Sequence, residues 1–138
     1  MKIGYAYVVS DIFHIGHLKH LQGCKKYCDF LCVGILTNEA TMEKKPHPII
    51  DFKERLEIVK NIKCVDSVVK QETYSPLDNF KKLNADILFE STSHSKESIE
   101  EAKELAKKLR KKVFVMPYYK GQSSTNIKMK IKNEYEMC

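Results

Sequence analysis

The chain has 138 residues, 43% of them apolar and 30% charged, a balance that supports one globular domain and excludes a disordered or fibrous chain. No apolar run approaches the roughly 18 residues of a membrane span, and the first residues enter a strand pattern with no leader-like segment, so a cytoplasmic protein is expected. The net charge of +6 is uneven, with 13 basic against 12 acidic side chains in residues 1–95 but 11 against 6 in residues 96–138. A basic tail suits a phosphorylated small molecule, a membrane surface or nucleic acid. The cations are almost all lysine and there is no Trp, which makes nucleic acid the weakest of the three.

In chain order, residues 2–9 read as a strand and residues 17–28 as a helix, with Leu18, Leu21 and Cys28 at helical spacing. Residues 29–37 form a nearly continuous apolar run, as in a strand covered on both faces. Asp51 reads as a helix cap, and Glu54 would complete a capping box. Phe52, Leu56, Val59 and Ile62 then mark one helical face. A short strand is expected at 67–70, a helix opening at Ser75-Pro76 and running through Leu83, and a strand at 86–90. An amphipathic helix at 96–111 would turn Ile99, Ala102, Leu105, Ala106 and Leu109 inward. A strand at 112–116 stops at Pro117, and a last helix starts near Ser123. Strands alternating with helices over short connections predict an α/β fold with a five-stranded parallel sheet, as a single domain over residues 1–138. Ligands of such sheets bind beyond the carboxyl ends of the strands, which directs attention to the loops after residues 9, 37, 90 and 117. Cys24, Cys28, Cys32, Cys64 and Cys138 form no C-x-x-C pair and read as reduced, mostly buried thiols.

The loop after the first strand carries His14-Ile15-Gly16-His17. At the mouth of a helix, free N–H groups and the helix dipole already attract anions. Two imidazoles there add donors aimed at a phosphate, and Gly16 leaves room for a nucleotide against the backbone. Asp11 stands where it can hold a metal ion or orient a histidine. Lys44 and Lys45, after the second strand, can neutralise a transferring phosphoryl group. The Ser123-Ser124-Thr125 run offers hydroxyls and N–H groups at the start of the last helix.

The box, its place after the first strand, Asp11, the Ile35-Leu36-Thr37-Asn38-Glu39 stretch, Glu54-Arg55, Val65-Asp66 and the Gly121–Thr125 segment together resemble the cytidylyltransferase family, most closely its glycerol-3-phosphate cytidylyltransferase branch. The resemblance covers residues 2 to about 132. It implies a Rossmann-like three-layer sandwich and transfer of a nucleotidyl group from CTP to a small phosphate or phosphonate acceptor, with pyrophosphate released. It implies His14, His17 and Lys44 as catalytic residues. Val9, Ser10, Asp11, Gly16, Lys63, Lys120, Gly121, Gln122, Ser123, Ser124 and Thr125 would bind the nucleotide, and Asn38, Lys45 and Ser91 the acceptor. Mg²⁺ would bridge the triphosphate, with Asp11 as a candidate protein ligand, and a homodimer is expected. Three other readings stand beside it: an ATP-using, FAD-synthetase-like adenylyltransferase of the same superfamily, a nucleotide-binding module without catalysis, and a nucleic-acid-binding domain resting on the basic tail.

Overall fold

A computed structural model describes residues 1–135. Five parallel strands, β1 (Ile3–Val8), β2 (Phe30–Leu36), β3 (Ser67–Gln71), β4 (Ile87–Ser91) and β5 (Lys112–Met116), lie in the order β3-β2-β1-β4-β5. Six helices connect and follow them: α1 (Ile15–Lys25), α2 (Asn38–Met42), α3 (Phe52–Lys60), α4 (Leu77–Lys82), α5 (Lys96–Leu109) and α6 (Ser124–Tyr135). This is the Rossmann-like α/β architecture expected from the sequence.

Alternate residues of the apolar strands point to opposite faces and build two cores. On one face Ala6, Val33, Ile35 and Phe89 meet Leu21 and Cys24 of α1 and Val59 of α3. On the other, Tyr5, Tyr7, Cys32, Leu36 and Leu88 meet Ala40, Phe80 and Ala102 of α2, α4 and α5. Helices therefore cover both faces, which is why β2 has no polar side. Gly34 of β2 is required by this packing: a methyl there would fall 1.8 Å from the hydroxyl of Tyr5. Across it, Tyr5 donates a 2.5 Å hydrogen bond to Gln71 of β3.

The chain reverses its direction of travel across the sheet between β1 and β4. β1 is registered with β2 along its whole length, from Ile3↔Phe30 to Val8↔Ile35. With β4 it pairs only at Gly4↔Ile87 and Tyr5↔Leu88. The carboxyl-terminal halves of β1 and β4 thus part, and a crevice opens at the switch point.

Several local expectations need correction. α1 begins at Ile15 rather than at residue 17, because His14 caps it. The one-turn helix α2 was not expected; Thr37 caps it by accepting from the Ala40 N–H at 3.0 Å. Asp51 makes no side-chain cap to α3, since its carboxylate accepts from Asn38 Nδ2 at 2.8 Å instead. Leu109 lies exposed at the end of α5, and only Ala102 and Ala106 of that helix are buried. Cys24 and Cys32 are buried thiols and Cys28 and Cys64 half-buried, all four free, while Cys138 lies outside the described residues. No helix among the described residues is long and apolar enough to cross a membrane.

Candidate active site

The switch-point crevice widens into a cavity of about 560 Å³. One wall is the β1–α1 loop with the amino end of α1, and a second is the amino end of α6. The third comes from the segments that follow β2, β3 and β4.

The β1–α1 loop is held in a strained path. Ser10 and Ile12 have φ of 55° and 52°, the left-handed region, which costs a β-branched residue most. Asp11 between them supplies the restraint. Its carboxylate accepts from the backbone N–H groups of Ile49 and Ile50 at 3.0 and 2.9 Å and pairs with Lys128 of α6 at 2.8 Å. Its carbonyl accepts from the Ser124 hydroxyl. Burial works to raise the Asp11 pKa, but Lys128 and the two N–H groups outweigh it, and the carboxyl sits below its ordinary value. The charge of Asp11 is therefore spent on protein donors. Arg55 fastens the same region from below. It is fully buried and donates to the carbonyls of Val9, Leu36 and Ile50 and to Asn38 Oδ1, all at 2.7–2.9 Å. One guanidinium thus ties the carboxyl ends of β1 and β2 to the start of α3, a role its five-donor fork suits.

The two box histidines cap α1 with their rings. His14 Nδ1 accepts from the Gly16 N–H at 3.0 Å, and His17 Nδ1 accepts from the His14 N–H at 3.1 Å. A nitrogen that accepts carries no proton, so the neutral tautomer with Nε2–H is fixed on both rings. Burial lowers the pKa of His14. Burial, with His14, His20 and Lys45 nearby, pulls His17 down to about 3 against a weaker upward pull from Asp11. Both are thus neutral donors at pH 7. The His14 ring lies over Gly16 and the Gln122 carbonyl lies beside it, so a side chain at residue 16 would crowd both.

Of the residues expected to act here, His14, Gly16, His17, Val9, Ser10, Asp11, Lys45, Ser91, Gln122, Ser123, Ser124 and Thr125 all line the cavity. Lys44 is not among the lining residues: in the turn after α2 its ammonium lies 5.2 Å from the ring centre of Tyr74, whose ring does line the cavity. Its neighbour Lys45 faces the cavity instead. Although water still reaches Lys45, burial lowers its pKa, and nearby Lys128 adds to that fall against an upward pull from Tyr118. Lys63 sits in the loop before β3, at the amino ends of the strands and so opposite the cavity. Lys120 and Gly121 lie outside the lining, and Lys128 takes the cationic place on that wall. Asn38 is spent between Arg55 and Asp51. Sequence reasoning missed Tyr7, His20, Tyr74 and Lys128, all of which line the cavity, while His94 lines it from the loop after residue 90, to which the sequence directs attention. Only Lys128 left a signal, being four residues after Ser124 and so on the same face of α6.

Among the described residues no group of three or more His, Cys, Asp and Glu stands close enough to hold a metal ion. With Asp11 engaged as described, the donor set does not fit a Mg²⁺ held by protein ligands.

A doubly wound parallel sheet whose switch point carries two capped helix ends, two neutral imidazoles and two lysines defines a nucleotide-handling protein of the Rossmann-like class. Residues 9–130 match the family described as cytidylyltransferase-like, and the chain belongs to that family of nucleotidyltransferases. It is 36% identical over 107 residues to an FAD synthase of Methanohalophilus mahii, which covers 75% of this chain and 70% of that protein. It is also 29% identical over 129 residues to the bifunctional protein HldE of Hyphomonas neptunium, covering 92% of this chain but 26% of that protein, so it spans about a quarter of the length of that relative. Two solved structures share the fold. A lipopolysaccharide core biosynthesis protein from Thermoplasma volcanium superposes with a TM-score of 0.75 at 24% identity, covering 88% of this chain and 99% of that one. A pantoate-beta-alanine ligase from Francisella tularensis gives a TM-score of 0.63 at 15% identity, covering 95% of this chain and 69% of that one.

Proposed function

We propose that the protein transfers a nucleotidyl group from a nucleoside triphosphate to a small acceptor bearing a phosphate or phosphonate, with release of pyrophosphate. The observation that carries this reading is the convergence of His14 and His17, Lys45, Lys128 and the Ser123–Thr125 helix start on one cavity. The amino ends of α1 and α6 form the wall suited to the triphosphate. An oxygen of the acceptor attacks the α-phosphorus, the bond from that phosphorus to the α–β bridging oxygen breaks, and pyrophosphate leaves with the electron pair. The attacking oxygen is already anionic, so the protein's task is positioning and charge stabilisation. The Nε2–H groups of His14 and His17 donate to the α- and β-phosphates as charge builds. Lys45 neutralises the α-phosphate or the incoming acceptor. Mg²⁺ belongs on the triphosphate as part of the substrate.

For the donor, the similarity to an FAD synthase over most of that protein's length favours ATP, since FAD contains an adenylyl group. CTP is the second reading, favoured by the family description and expected from the sequence resemblance. The assay is pyrophosphate release with Mg²⁺, each of the four nucleoside triphosphates in turn, against glycerol 3-phosphate, sugar phosphates, flavin mononucleotide and aminoethylphosphonate. Release with one pair and its loss by about 10² to 10³ in folded His17→Ala are expected. Tight binding of a triphosphate with no release against any acceptor would favour the non-catalytic module.

A further inference from the structure

Away from the cavity, at the end of the sheet where the strands begin, lies a basic face that the transfer just described does not use. In a parallel sheet with crossover helices, each helix ends where the next strand starts. The last turns of α1, α3, α4 and α5, the segments leading from them into the next strand, and Lys2 therefore share this face. Hydrogen bonds stitch it together from strand to strand. Asp29, Asp66 and Asp86 each accept, at 2.8 Å, from a backbone N–H at the start of a neighbouring strand, those of Lys2, Leu31 and Ile3.

The face carries twelve lysine and arginine side chains against four carboxylates. The rest of the chain carries 12 against 14, so the whole positive excess stands here. Folding has regrouped it, since Lys26, Lys60, Lys82 and Lys108 come from four different helix ends. A lysine in the last turn complements the helix dipole, but four helix ends at about half a negative charge each offset only about two of these charges. Two of the twelve are in ion pairs among the described residues, Lys25 with Asp66 at 2.5 Å and Lys111 with Asp86 at 3.4 Å. Lys26, Lys82, Lys108 and Lys112 are exposed.

The shape and the apolar content of the face decide what it fits. It is level: Ile3 pairs with Phe30, Gly4 with Ile87 and Ile87 with Lys112, so four of the five strands begin within one residue of each other. Exposed Tyr27, Leu83 and Leu109, each at a helix carboxyl end, are interleaved with the lysines. Between the starts of β1, β4 and β5 the face dips into a recess of about 270 Å³ lined by Lys2, Arg110, Lys111 and Lys112, with Asp86 beside them. Arg110 is held there at a φ of 57°, a left-handed position that glycine usually takes. Single-stranded nucleic acid asks for a groove with stacking aromatics, and base reading asks for arginine. A level face with one Arg and one Tyr offers neither, whereas lysines mixed with apolar side chains suit a charged bilayer surface.

We propose that this face lies on an anionic lipid bilayer. The lysines meet the headgroups, Tyr27, Leu83 and Leu109 enter the interfacial layer, and the recess takes one headgroup phosphate on Arg110 and Lys112. The cavity, at the other end of the strands, then opens away from the lipid and stays in water.

Co-sedimentation of the full chain with phosphatidylcholine vesicles, with and without phosphatidylserine, tests this. Binding is expected only where phosphatidylserine is present, and it is expected to weaken steeply as salt rises. Each lysine at such a surface contributes about five-fold. The combined Lys26→Gln, Lys82→Gln, Lys108→Gln and Lys112→Gln variant, checked for folding by thermal melting, is therefore expected to bind at least about 10²-fold more weakly. Removing as many charges from the cavity end, through Lys44→Gln, Lys53→Gln, Lys96→Gln and Lys120→Gln, is expected to change binding only a few-fold. No binding to phosphatidylserine vesicles, equal binding to neutral ones, or equal losses in the two variants would overturn the proposal. Single-stranded RNA held more tightly than vesicles, and released by the first variant, would also overturn it and assign the face to nucleic acid. Pyrophosphate release enters none of these readouts, so the proposal and the transfer reading fail separately.

Discussion

Replacing Gly16 by alanine separates the folding role of the histidine box from its chemistry. A methyl at residue 16 would lie 2.7 Å from Cε1 and 3.0 Å from Nδ1 of His14, with the Gln122 carbonyl 3.3 Å away on the other side. The backbone yields less readily than a side chain, so the imidazole swings aside. It then gives up its bond from the Gly16 N–H, and Nε2–H loses its aim. A lost cap costs about 1 kcal/mol, while alanine in place of a helical glycine returns about 0.8–1.0 kcal/mol. The two nearly cancel, and global stability is expected to stay within about 0.5 kcal/mol of the wild type. No such offset exists for the reaction, where one misdirected donor costs about 3 kcal/mol, or 10² to 10³ in rate. Urea unfolding and pyrophosphate release, measured on the same preparation, check both halves. A Gly16→Ala protein with a rate within a few-fold of wild type would refute the argument that the capping bond sets the tautomer and direction of His14.

The two neighbouring lysines divide sharply: Lys45→Ala is expected to lose about 10² in rate and Lys44→Ala to stay within a few-fold, and the reverse order in the release assay would return the role to Lys44. Arg55→Ala strands three strand-end and loop carbonyls and is expected to cost at least about 3 kcal/mol in urea unfolding; a change under about 1 kcal/mol would refute its clamp role. The pH dependence of stability follows from His17 and His20, whose folded-state values are pulled to about 3 and about 4, in each case chiefly by burial. The unfolded chain takes up these protons first, so stability holds above about pH 6.5 and falls as pH drops from there towards 4 and 3. Melting temperatures across that range should fall less steeply in His20→Gln, and equal slopes would mean that other groups carry the acid loss.

The fold was legible because its strands are apolar on both faces and its helices on one, two periodicities that need no tertiary knowledge. The His14–His17 box and the Ser123–Thr125 run were legible for a related reason: both are helix starts, and a helix start is a local event. Lys44 and Lys63 were not, although Lys45 was. Lys44 and Lys45 are adjacent in a turn, where one residue of rotation decides which enters the cavity, and sequence spacing carries no such information. Lys63 was misplaced for a topological reason, since a loop that precedes a parallel strand lies at the end away from the ligand.

The residue types at Asp11, Asn38 and Arg55 were visible from the start, but their work was not. Each is engaged with groups 13 to 117 positions distant, and only the closed sheet brings those groups within hydrogen-bond reach. The same holds for Tyr7, Glu90 and His94, drawn from β1, from β4 and from the loop after it. The sequence alone determined the order of the five strands and of every helix but α2, and the two helix starts that line the cavity, because periodicity and capping act over a few residues. Tertiary structure alone decided which charges remain free to meet a ligand, because that depends on partners the chain brings together only when β4 settles beside β1.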